Sequence, residues 1–84
     1  MNILIGDIGN TKTKICLIDY KTSKIIKVLY FDSIKIKSLF FIKNILKKFF
    51  YKKKIVRTAL FSSVVPEYYL TLKKVLKKNY KIKL

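Results

Sequence analysis

At 84 residues the chain is long enough for one small domain, burying roughly 60–65% of its unfolded surface, and too short for a deep two-domain active site. Hydrophobic residues make up 51%, which argues against wholesale disorder, and the formal net charge is +16, from twenty basic residues against four acidic ones. There is no histidine, which excludes His-dependent catalytic triads and His-based zinc sites.

Of the twenty basic residues nineteen are Lys, and only Arg57 is Arg. A basic surface suggests nucleic acid or an anionic membrane, yet such binders favour Arg for bidentate phosphate contacts. The excess of Lys, Ile, Phe, Tyr and Asn reads instead as coding bias in an AT-rich genome. Cys16 is the only cysteine, so no intrachain disulfide can form and a reducing compartment is expected. No signal-peptide pattern precedes the first apolar run, and Lys interrupts every long apolar stretch, so the sequence predicts no transmembrane helix and a cytoplasmic location.

The first element is an apolar, β-branched run from Asn2 to Ile8, which predicts a central strand buried on both faces. Gly9 and Asn10 tolerate positive φ and signal a turn. Thr13 to Asp19 then returns antiparallel, with Asn10, Thr11 and Lys12 at the hairpin tip and Cys16 as a packed thiol. After a polar break at Tyr20 to Ser23, a third strand is expected over about Ile25 to Phe31, completing an antiparallel meander.

From Lys35 to about Lys53 the period changes. Leu39, Phe41, Ile42, Ile45, Leu46, Phe49 and Phe50 share one side of a helical wheel and the lysines largely take the other. This predicts an amphipathic helix covering a sheet, with a membrane-surface role as the minor alternative. Ile55 to Val65 reads as the next strand, stopped by Pro66, which suits the first turn of a second helix with Glu67 at its positive end. Tyr68, Tyr69, Leu72, Val75 and Leu76 share a face of that helix, Asn79 is a candidate C-cap, and Tyr80 to Leu84 alternates like a final strand. The order β-β-β-α-β-α-β predicts an α/β fold, a mixed sheet with helices on its faces, in one domain spanning 1–84.

The chemistry-bearing stretch is the first hairpin. Asp7 ends a strand beside the loop, where its carboxylate can hold Mg²⁺ directly or through water, shared with substrate phosphates. Gly9 lets backbone come close to a phosphate, and the N–H groups of Asn10 to Lys12 can point at its oxygens. The Asn10 amide, the Thr11 and Thr13 hydroxyls and the Lys12 ammonium can add donors and charge. Read on its own, the stretch is also compatible with a tight hairpin in which Asp7 merely caps a turn. Ser62 and Ser63 end the next strand. There they either line a cleft, since ligands favour the carboxyl ends of strands in open α/β sheets, or satisfy backbone groups at the strand-to-helix junction.

Two segments carry a family resemblance. Asp7-Ile8-Gly9-Asn10-Thr11 resembles the first phosphate motif, D-x-G-N-T, of type III pantothenate kinases, and Ser62-Ser63-Val64-Val65-Pro66 resembles the S-S-V-V-P segment after that family's fourth strand. The element order is similar to the ribonuclease-H-like half-domain of the actin, sugar-kinase and heat-shock-ATPase superfamily. The resemblance implies an ATP-dependent kinase of coenzyme A synthesis that phosphorylates pantothenate as a cytoplasmic homodimer, with Mg²⁺ and a monovalent cation (K⁺ or NH₄⁺). It implies that Asp7, Gly9, Asn10, Thr11, Lys12 and Thr13 meet the ATP phosphates, with Asp7 as metal ligand and Ser62 and Ser63 lining the cleft. The family's general-base Asp, its G-x-D-R-type pantothenate segment and its second phosphate loop have no match in this sequence. The chain therefore reads as an N-terminal half-domain, truncated before the C-terminal one, carrying one wall of an ATP site and inactive alone. The alternative is a stand-alone basic domain that binds nucleic acid or another polyanion.

Overall fold

The computed structural model describes residues 2–51 and 56–84. Strands β1 (Asn2–Ile8), β2 (Lys12–Asp19) and β3 (Ile25–Asp32) are followed by a 3-10 helix (Ser33–Lys37), helix α1 (Leu39–Phe49), strand β4 (Val56–Ser63) and helix α2 (Pro66–Tyr80). The sheet order is β3-β2-β1-β4, with β1 antiparallel to β2 and parallel to β4. β1 is thus central and the sheet is mixed.

The strands alternate as one-sided strands do. Leu4, Ile8, Ile15, Leu17, Phe31 and Ala59 are buried and join one core cluster with Ile42, Leu46 and Phe49 of α1 and Leu72, Val75 and Leu76 of α2. The opposite face carries Ile5, Val28, Tyr30 and Leu60, all exposed. The expectation that β1 is buried on both faces is corrected. It is apolar on both faces, but both helices pack on the same one.

The single helix expected from Lys35 is broken. Ser38 has extended backbone, φ −93° and ψ 106°, and its hydroxyl accepts the Phe41 N–H at 3.2 Å, capping α1 at Leu39. Ser38 competes with helix continuation through this local bond, so the residues before it form a separate 3-10 helix whose buried Ile36 enters the core. α1 ends at Phe49, and Lys53, the expected end, lies outside the described residues.

β4 ends at Ser63, two residues before the expected Val65, and Ile55, its expected start, also lies outside the described residues. Pro66 begins α2 as expected. The helix runs through Asn79 to Tyr80 and is capped by Lys81 in the left-handed region at φ 57°. Of the expected last strand only one parallel bridge, Thr58 to Lys83, is present, with Ile82 buried beside it.

Candidate functional site

β1 delivers Asp7 to the carboxyl end of the sheet, and the parallel register places it opposite Ser62 on β4. Directly paired residues share a sheet face, and the Ser62 hydroxyl donates to Asp7 Oδ1 at 3.0 Å. Asp7 and Ser62 are both exposed, on the side away from the helices. The carboxylate is therefore held at one oxygen by a neutral donor and opens to solvent on the helix-free face.

The turn that follows is held from inside. The Gly9 N–H donates to the Lys12 carbonyl at 2.9 Å, leaving Asn10 and Thr11 exposed at the tip. Among the described residues only Ser23 and Lys81 have positive φ, so neither Gly9 nor Asn10 uses the left-handed conformation expected of it. Gly9 is required for a different reason. A Cβ there would lie 2.9 Å from the Lys12 carbonyl oxygen, closer than a side chain tolerates.

Ser33, the first residue after β3, clamps this tip. Its N–H donates to the Thr11 carbonyl at 2.8 Å and its hydroxyl donates to the Gly9 carbonyl at 2.8 Å. A serine hydroxyl has one proton. That proton is committed to Gly9, so the 2.7 Å contact between Thr13 Oγ1 and Ser33 Oγ has Thr13 as donor. Thr13 and Ser33 are both fully buried. Thr13 thus faces the interior and ties the tip down, while Lys12 forms an ion pair with Asp32 across the β2–β3 pair. This pairing, through its hydrogen bond first and its Coulombic attraction second, holds the Asp32 carboxyl below the usual range and raises the Lys12 ammonium.

The two serines of the second motif separate. Ser62 faces Asp7. The Ser63 hydroxyl donates to the Val65 carbonyl at 2.9 Å and accepts the Val65 N–H at 3.1 Å, the backbone-satisfying role at the strand-to-helix junction. Val64 N–H continues the ladder to the Ile8 carbonyl at 3.1 Å, fixing the S-S-V-V-P segment against the hairpin. The two motifs, 55 residues apart at Asp7 and Ser62, are therefore one site.

Sequence reasoning missed Ser33. No local pattern marks it, because its partners Gly9, Thr11 and Thr13 are at least twenty residues away in the chain. Among the described residues no group of three or more His, Cys, Asp or Glu side chains converges as a metal cage. Asp7 offers a single carboxylate, a donor set that suits a hydrated Mg²⁺ whose other ligands are phosphate oxygens and water. Among the same residues no helix is long and apolar enough to cross a membrane.

Comparison with known proteins agrees with the two motifs. The sequence model of the family described as type III pantothenate kinase matches residues 3–84. The type III pantothenate kinase of Pelagibacter ubique is 42% identical over 81 residues, covering 96% of this chain and 32% of that protein. The chain thus spans about a third of the length of this curated relative. A match to the crystal structure of the Aquifex aeolicus member of the Ppx/GppA family covers 99% of this chain and 33% of that one, at 15% identity and a TM-score of 0.48. With the family match running over nearly every residue, including both motifs that meet at Asp7 and Ser62, the chain belongs to the type III pantothenate kinase family.

Proposed function

We propose that the chain supplies the phosphate-binding wall of an ATP-dependent pantothenate kinase acting in coenzyme A biosynthesis. The observation that carries this reading is the exposed Asp7 carboxylate, oriented by Ser62 from the neighbouring strand and set beside the exposed Asn10–Thr11 tip. Phosphoryl transfer asks a protein for positioning and charge neutralisation more than for covalent chemistry. Asp7 would hold Mg²⁺, which neutralises phosphate charge, and Asn10 and Thr11 would donate to phosphate oxygens. Gly9 keeps the turn tight enough for that approach. Thr13 takes part through Ser33, by fixing the tip rather than by touching the nucleotide, and Lys12 adds positive charge at the tip while paired to Asp32.

The same geometry supports an incomplete site. A kinase of an alcohol needs a base near the acceptor hydroxyl. Asp32 is paired with Lys12, and Asp19 sits opposite Asn2 at the far end of the hairpin, about 17 Å along β1 from Asp7. With Asp7 on the metal, the one remaining carboxylate is Glu67, in the first turn of α2, where the helix's positive end favours it as a charged group. Pantothenate, the monovalent cation and a homodimer belong to the proposal through the family alone. The family match also favours this reading over a basic nucleic-acid-binding domain.

Calorimetric titration with Mg²⁺ and a non-hydrolysable ATP analogue tests the site. Binding is expected to need Mg²⁺, and Asp7→Asn to weaken it at least tenfold. Equal binding by wild type and Asp7→Asn would defeat the reading. In a coupled assay, ATP-dependent pantothenate phosphorylation by the 84-residue chain alone is expected to be absent, and steady turnover would show that the chain carries its own base and acceptor pocket.

A further inference from the structure

Four lysines converge on the helix side of the sheet. Lys37 from the end of the 3-10 helix, Lys43 from the middle of α1, and Lys74 and Lys78 from α2 line one groove of about 410 Å³. All four are exposed, and no carboxylate joins them in the lining. Asp7, Asp19 and Asp32 belong to the strands, and Glu67 to the first turn of α2. Among the described residues the one salt bridge is Lys12–Asp32, so no acidic side chain neutralises the groove. Val75, buried, and Leu39, 53% exposed, give it an apolar portion, and the Asn79 amide adds a neutral donor.

Helix-dipole compensation accounts for Lys78, in the last turn of α2, but not for Lys43 or Lys74 in mid-helix. Lys74 and Lys78 stand four residues apart on one helix, a like-charge spacing that disfavours the helix unless an anion lies between them. Coding bias sets how many lysines the chain has, but it does not gather them from three elements around one concavity. We propose that this groove binds a small soluble molecule bearing clustered phosphates, at a site separate from Asp7 and independent of the kinase reading. The groove's volume falls in the small-molecule range of about 300–1,000 Å³. A phosphate monoester carries about −1.5 to −2 charges at neutral pH, so four ammonium groups match about two phosphates. Lysine binds phosphate as a point charge without a fixed fork, which suits a lining that holds no arginine. Concavity favours a compact anion over a bilayer surface or an extended strand. Asp7 opens on the opposite face of the sheet, so the two sites do not overlap.

The test is titration of the chain with inorganic tripolyphosphate, without Mg²⁺ and at constant ionic strength, followed by calorimetry and backbone amide NMR. Expected is saturable one-to-one binding, tighter than that of orthophosphate, with the largest shifts at Leu39, Val75 and Asn79 and none at Asn10 or Thr11. Lys74→Gln combined with Lys78→Gln is expected to weaken binding at least about tenfold, and Lys43→Gln to weaken it from α1. The control, Lys21→Gln combined with Lys24→Gln in the β2–β3 turn, removes two charges outside the groove and should change affinity less than about twofold. All of these lysines are exposed, so the far-ultraviolet spectra should be unchanged. Asp7→Asn is expected to leave tripolyphosphate binding intact. Binding to the folded chain alone also raises the urea midpoint, an effect expected to be lost with Lys74→Gln and Lys78→Gln. The proposal is overturned if both pairs of substitutions weaken binding equally, if the titration does not saturate, or if the shifts fall on the hairpin tip. It is equally overturned if the groove lysines serve phosphatidylglycerol vesicles or a single-stranded RNA in preference to tripolyphosphate.

Discussion

Ser33 shows how one buried hydroxyl can set the geometry of an exposed loop. Its oxygen receives the Thr13 proton and its own proton goes to the Gly9 carbonyl, so every polar atom in this small network is used. Ser33→Ala removes both bonds and leaves the Thr13 hydroxyl buried without its acceptor, which is expected to destabilise the fold by about 1–3 kcal/mol in urea denaturation. Because the clamp holds Gly9 and Thr11, weaker nucleotide binding should accompany the loss. The Lys12–Asp32 pair lies at the surface and is read by titration rather than by stability. Asp32 is depressed, so its contribution is present above the unfolded carboxylate range and is lost as pH falls through the lower folded value. Lys12 is raised, so its contribution persists below the unfolded lysine range and disappears as pH rises through the higher folded one. Between about pH 5 and pH 9 the pair should be insensitive to pH. In a carbon-detected titration, Asp32 is expected to move up toward the ordinary value in Lys12→Ala, and to do so in wild type at high salt.

At the scale of elements, the parallel β1–β4 pairing depends on a glycine in a strand. Gly6 lies opposite Phe61, and a Cβ at Gly6 would stand 2.1 Å from a carbon of that ring. The ring fills the space a side chain would take. Gly6→Ala is expected to destabilise by about 1–3 kcal/mol through overpacking, and combining it with Phe61→Leu should recover part of the loss. Additive losses in that double-mutant cycle would show that the ring is not the obstacle. Ser38 works at the same scale, ending the 3-10 helix and starting α1. Ser38→Ala is expected to lower stability by about 1 kcal/mol, measured as a shift of the urea midpoint without change of slope.

The whole molecule combines a one-sided core with a large charge excess. Among the described residues the Lys12–Asp32 ion pair is the only one. A groove of about 410 Å³ between the helices draws Lys37, Lys43, Lys74 and Lys78 to its lining and no carboxylate. Such a surface repels itself, and screening relieves the repulsion. The unfolding midpoint of the chain is therefore expected to rise between 50 mM and 500 mM NaCl, and a flat response would show that the lysines are spaced widely enough not to interact.

Much of this was legible in the residues themselves. The alternation of the strands, the amphipathic period of Ile42, Leu46 and Phe49, Pro66 at the start of α2 and the pairing of a D-x-G-N-T turn with an S-S-V-V-P segment all depend on neighbours within a few positions, where sequence pattern and backbone geometry are directly linked. Other features depended on contacts between distant segments. β1 is apolar on both sides, and only the placement of α1 and α2 together decided which side is core. Thr13 had the chemistry of a phosphate donor until Ser33 arrived to take its proton, and Ser62 and Ser63, adjacent and alike, were told apart only because strand alternation turns one to Asp7 and the other to Val65. The first hairpin was identified by its own sequence. Its working geometry was set by Ser33 and Ser62, whose places are fixed by tertiary packing that no local pattern encodes.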